Sequence, residues 1–121
     1  HLMQDFANAL RAYRKVAQLF EKDGADALNQ GYIRLWVGQT MEAIGRVEDS
    51  LFFYIASLRK WEPVSPLKAL EVQSRIDDLI ASRMDLMALS GTPVWKAENR
   101  FVEWSRSAED VIIGPVVRRL S

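Results

Sequence analysis

The stretch Asp26–Trp61, DALNQGYIRLWVGQTMEAIGRVEDSLFFYIASLRKW, decides the fold. Ile33, Val37, Thr40, Ile44, Val47, Leu51, Tyr54, Leu58 and Trp61 recur at alternating spacings of four and three without a gap. That pattern holds one side chain per turn on a narrow stripe, so it predicts a single long helix packed lengthwise against partners. At about 36 residues such a helix would extend ~54 Å. Gly31, Gly38 and Gly45 run beside the stripe, seven apart. Each costs a helix interior about 1 kcal/mol relative to alanine, which calls for a compensating reason. Either the missing side chains let a neighbouring helix approach closely along that flank, or Gly31 belongs to a turn after Asn29-Gln30. Gly38 and Gly45 are helical on both accounts.

Outward from this segment, the sequence divides into helices with short links. Phe6, Leu10, Tyr13, Ala17 and Phe20 form the apolar side of a first helix over residues 3–22. Gly24 is placed to end it in a left-handed conformation, and Asp26 to cap the next. Pro63 and Pro66 close the long helix, and Ser65-Pro66 opens a third with a capping hydroxyl before proline at the first helical position. Over residues 67–89 the apolar face is Ala69, Val72, Ile76, Leu79, Ile80, Met84 and Met87, opposite Glu71, Arg75, Asp78, Ser82 and Asp85. Arg83 falls within that apolar face, where an arginine lays its stem along the core edge and reaches a carboxylate or water. Ser90-Gly91-Thr92-Pro93 repeats the punctuation before a fourth helix that turns Val94, Ala97, Phe101, Trp104, Ala108, Val111 and Ile112 inward, until Gly114-Pro115 breaks or kinks it. The expected fold class is all-α, an antiparallel four-helix bundle whose unusually long second helix overhangs the rest.

Length supports one domain: the 121 residues and 13.8 kDa suffice for one core. His1-Leu2-Met3 reads as an expression-tag remnant, leaving residues 4–121 as the helical-bundle domain. Sixteen basic residues balance sixteen acidic ones, so no net field draws the chain to nucleic acid or an anionic membrane. No apolar run approaches the ~20 residues of a transmembrane segment. The absence of cysteine removes disulfides and thiolate chemistry and fits a cytoplasmic setting.

Catalytic constellations are equally sparse. The only histidine is His1, so triads and histidine-rich zinc sites lack their ligands. The adjacent carboxylates Glu48-Asp49, Asp77-Asp78 and Glu109-Asp110 diverge by about 100° on a helix and are expected to be solvated faces. No phosphate-binding glycine loop is present. No enzyme, cofactor or metal is expected.

The end of the long helix, Leu51-Phe52-Phe53-Tyr54-Ile55, is apolar in every direction around the axis. Either the first and later helices of the same chain wrap it, or it remains exposed as a dimer interface or a face for a greasy surface. The overhang of the long helix exposes seam, so the expected function is a non-enzymatic interaction or scaffolding module that forms a homodimer or binds another helical protein. Two long helices would complete each other's packing, with the interface at Gly38, Gly45, Leu51, Phe52, Phe53 and Ile55. A small-ligand-binding bundle, with tryptophans lining its cavity, is a further alternative.

Two stretches, Pro66-Leu67-Lys68-Ala69-Leu70-Glu71-Val72-Gln73 and Gly114-Pro115-Val116-Val117-Arg118, resemble phasins, the amphipathic helical proteins that coat polyhydroxyalkanoate granules. The resemblance spans about half the chain, which departs from that family in its four tryptophans and regularly spaced glycines. It implies a non-catalytic, self-associating protein that lays apolar helix faces, here Leu51 to Ile55, on a hydrophobic granule.

Overall fold

A computed structural model describes residues 2–107. They form five α-helices and one 3-10 helix: α1 Leu2–Asp23, α2 Ala27–Ala43, α3 Val47–Trp61, α4 Pro66–Ser82, the 3-10 helix Met84–Gly91 and α5 Val94–Arg106. The all-α class is as expected, but the long second helix is not formed. Its residues fold back on themselves as a hairpin of α2 and α3, and the longest helix is α1, with 22 residues. No overhang follows from it.

The break lies at Ile44-Gly45-Arg46. Gly45 adopts φ +89°, a conformation that costs any residue with a Cβ. The Arg46 N–H donates to the Met41 carbonyl at 2.8 Å and the Gly45 N–H to the Glu42 carbonyl at 3.1 Å. These are the paired bonds of a Schellman motif, which satisfies the last carbonyls of α2 and reverses the chain. The third heptad glycine is therefore a helix terminator, and the expectation that it stays helical is overturned.

Gly31 and Gly38 do lie inside α2, and the close-approach account explains both. In the antiparallel hairpin the seven-residue interval Gly31–Gly38 faces the seven-residue interval Trp61–Tyr54. A Cβ at Gly31 would fall inside the Trp61 indole, and one at Gly38 would lie 2.8 Å from Tyr54 Cε1. The Trp61 indole N–H donates to the Leu28 carbonyl at 2.9 Å, and the Ser57 hydroxyl to the Gly31 carbonyl at 2.8 Å. Two bulky aromatics thus lie in two notches, and the polar tip of Trp61 is satisfied where it is buried.

Helix α3 is the centre of the molecule, packed against α2, α4 and α5, with α1 closing over α2 and α5. Leu51, Phe52, Phe53, Tyr54 and Ile55 are all buried within the chain. Phe53 meets Phe101 edge to face at 5.6 Å between ring centroids and Trp104 at 6.1 Å. Arg34, only 4% exposed, joins α2 to α5: it ion-pairs Glu98 through Nη2, donates to Glu98 Oε2 through Nε at 2.9 Å, and rests 4.3 Å over the Phe101 ring.

The shorter-range expectations hold where local chemistry governs. Gly24 has φ +77° after α1, the Asp26 carboxylate accepts from the Asn29 N–H at 2.8 Å, and the Ser65 hydroxyl accepts from the Lys68 N–H at 3.3 Å ahead of Pro66. The third helix does not reach residue 89. It stops at Ser82, whose hydroxyl donates to the Leu79 carbonyl, and Arg83 leaves helical geometry at φ −135°, ψ 76°. The following 3-10 turn buries Leu86 and exposes Met84 and Met87, both expected inside. Thr92 donates to the Leu89 carbonyl and makes no cap on α5. Ala108, Val111, Ile112, Gly114-Pro115 and Glu109-Asp110 lie outside the described residues.

Candidate functional site

Helices α2 and α4 both lean on α3 without closing over it, which leaves a groove between them. Its floor is apolar: Leu35 of α2 and Val72 of α4 are buried there. Its α4 wall carries Leu67 and Leu70, 70% and 66% exposed, beside Glu71, Arg75 and Asp78, around a volume of about 560 Å³. Local sequence explains their position. Ala69, Val72, Ile76 and Leu79 form the buried stripe of α4, and at about 100° per residue Leu67 and Leu70 project to the opposite side.

Arg75 joins this groove to a polar recess of about 330 Å³ bounded by Gln39, Glu42 and Tyr54. With its amide oxygen turned toward α4, Gln39 accepts from Arg75 Nη2 at 2.9 Å. The Tyr54 hydroxyl donates to Glu42 Oε1 at 2.7 Å. Burial, with that carboxylate beside it, pushes the Tyr54 phenol well above its ordinary pKa, so the group is a proton-holding strut between α3 and α2.

At the opposite end, the Lys68 ammonium lies 4.8 Å over the Tyr32 ring and 5.5 Å over Trp61. Tyr32 stacks on Trp36 at 5.4 Å, and Trp36 on Tyr13 of α1 at 6.1 Å, with Trp36 42% exposed. The α2–α4 face is thus a strip of aromatic and leucine surface edged by charges of both signs.

A second cluster surrounds the start of α3. Asp49 is buried, pairs with Arg46 at 2.5 Å and accepts from Arg100 at 3.1 Å, while Arg83 is held bidentately by Asp85 at 2.9 and 2.8 Å. Asp49 therefore departs from the expected solvated face, whereas Arg83 finds a carboxylate as expected. Every guanidinium around this cavity of about 360 Å³ already has an acidic partner, which leaves little pull on an anion. Among the described residues no three carboxylates or histidines converge as metal ligands, and no helix is long and apolar enough to cross a membrane.

The residues expected to form an interface are placed elsewhere. Leu51, Phe52, Phe53 and Ile55 are core, Gly38 is covered by Tyr54, and Gly45 occupies the exposed hairpin turn. They share one hairpin but present no common outer surface. The groove and recess between α2 and α4 are lined instead by Leu67, Leu70, Arg75 and Gln39. The available clue was that Leu67 and Leu70 fall, by helical spacing, on the polar side of α4 with Ser74 and Asp78. Comparison with family models, with curated proteins and with solved structures gave no match.

Proposed function

We propose that this chain is a non-enzymatic, self-associating helical interaction module whose contact surface is the α2–α4 face. One observation carries the reading: Leu67 and Leu70 stand two-thirds exposed beside an open apolar groove, although Leu10, Leu35, Leu51, Leu79 and Leu86 are buried in the core. Single exposed leucines are ordinary; two on one turn, bordering a Leu35–Val72 floor, form a surface that a helix can cover. The non-enzymatic part is supported by how three buried polar groups, those of Arg34, Asp49 and Tyr54, are spent. Arg34 is satisfied by Glu98 and Gln30, Asp49 by two arginines, and Tyr54 by Glu42. Each ties one helix to another or to its own turn.

The coating alternative located its apolar band at Leu51 to Ile55, which the fold consumes in the core. If it uses the α4 surface instead, a hydrophobic particle and a protein partner would compete for Leu67 and Leu70. Light scattering across a concentration series tests the leading reading. The expected mass rises from 13.8 kDa toward twice that value, and Leu70→Glu holds it at the monomer with the helical circular dichroism unchanged. A wild-type chain that stays monomeric at millimolar concentration overturns it, and binding to hydrophobic particles under those conditions transfers the surface to the coating reading.

A further inference from the structure

The outer face of α4 is self-complementary, and we infer that two copies pair through it antiparallel, about a two-fold axis at the level of Gln73. This rests on the self-association reading above and specifies its geometry. On a helix turning about 100° per residue, Lys68, Glu71, Arg75 and Asp78 fall within a sector of about 80°. Their charges run plus, minus, plus, minus along the axis. Lys68 and Asp78 each lie five residues from Gln73, and Glu71 and Arg75 each lie two residues from it. A two-fold turn at that level sets Lys68 against Asp78 of the partner subunit and Glu71 against Arg75 of the partner subunit. The symmetry repeats both pairs, so four contacts of opposite sign form. Parallel pairing in register would set each charge against its own kind, which is destabilising.

The apolar part of the face has the same reciprocity. Leu67, Ser74, Ala81 and Leu70 occupy the adjoining sector of about 60°, and all four are exposed. The two leucines lie before the axis and the two small residues at or beyond it. The antiparallel turn therefore lays the leucine end of one helix over the Ser74–Ala81 end of the other, where short side chains leave room for them. The charged sector is the one facing α2, where Arg75 and Asp78 edge the groove. Lys68 is positioned by the Tyr32 and Trp61 rings, and Arg75 by the Gln39 amide oxygen, which accepts from both of its terminal nitrogens.

Residues 68 and 78 are too far apart to pair within one helix, so charge reversal at these two positions reads the intermolecular contact. Lys68→Glu alone is expected to weaken the dimer about tenfold, since two pairs are lost and two repulsions gained. Adding Asp78→Lys in the same chain restores the wild-type dissociation constant. The chain has no cysteine, which allows a direct second measurement. Ser74→Cys, one position from the axis, is expected to give a disulfide-linked dimer under mild oxidation. Leu67→Cys, displaced along the helix from its own copy, gives far less. If the double reversal is no tighter than the single one, or the Leu67→Cys thiol links as fast as the Ser74→Cys thiol, the antiparallel geometry is wrong. Should Leu70→Glu still abolish the dimer in that case, the self-association reading survives it; a wild-type chain without any dimer removes both.

Discussion

Gly38 and Tyr54 show how one missing methyl group organises a helix pair. The aromatic ring occupies the volume a Cβ would need, so Gly38→Ala gains helix propensity and loses the fit. The propensity gain is about 1 kcal/mol, while forcing a packed ring to move costs about 1–3 kcal/mol, and the Tyr54 ring is held at its far end by Glu42. A net loss of about 1 kcal/mol is expected in urea unfolding. The same phenol titrates in a diagnostic way. Because its folded pKa is raised above the unfolded value of about 10, the folded state holds its proton where the unfolded chain has released it. That contribution is intact below about pH 10 and is lost as pH rises from there toward the folded pKa. The stability of wild type should therefore fall more steeply above pH 10 than that of Tyr54→Phe, measured by unfolding at pH 8, 10 and 11. Parallel curves would mean that Tyr54 is not protected.

At the scale of the element, the decisive position is Gly45, where the two descriptions of the chain predict opposite signs. In a continuous helix, Gly45→Ala would stabilise by about 1 kcal/mol. At φ +89° it destabilises by about 1–2 kcal/mol, and thermal denaturation of this one variant separates them. The caps were legible beforehand because they are local: Asp26, Ser65-Pro66 and Gly24 each act within four residues. The hairpin was not, because both of its arms carry the same heptad phase. Folding the stripe about residue 46 leaves Ile33, Val37, Leu51 and Tyr54 on the inner face, as a straight rod would, so periodicity could not distinguish one from the other. Arg83 illustrates the same limit: the apolar spacing continues to Met87, but the backbone leaves the helix at Arg83 and its side chain closes on Asp85. The groove was hidden for a different reason. Helical spacing sets Leu67 and Leu70 away from the buried stripe of α4, but whether an open groove lies beside them depends on where α2 sits, a relation between elements that neither sequence states alone.

Across the whole molecule, α3 is a core helix enclosed by its own chain, and the contact surface we propose lies on α4 instead. Two introduced charges test this division of labour. Phe53 is 1% exposed and packs against Phe101 and Trp104; the nearby guanidiniums of Arg34 and Arg100 are already paired with Glu98 and Asp49, so an aspartate there either ionises at high cost or takes up a proton. The loss of ring contacts alone is worth about 3–5 kcal/mol, a large share of the stability of a domain this size. Phe53→Asp is expected to abolish the cooperative thermal transition or lower it by more than 10 °C. Leu70→Asp removes only surface that is already two-thirds in water, so its midpoint, measured at a concentration where the wild type is monomeric, should stay within about 2 °C. Equal losses from the two substitutions would mean that this side of α4 also faces inward, and the proposed pairing surface for a second copy would not exist.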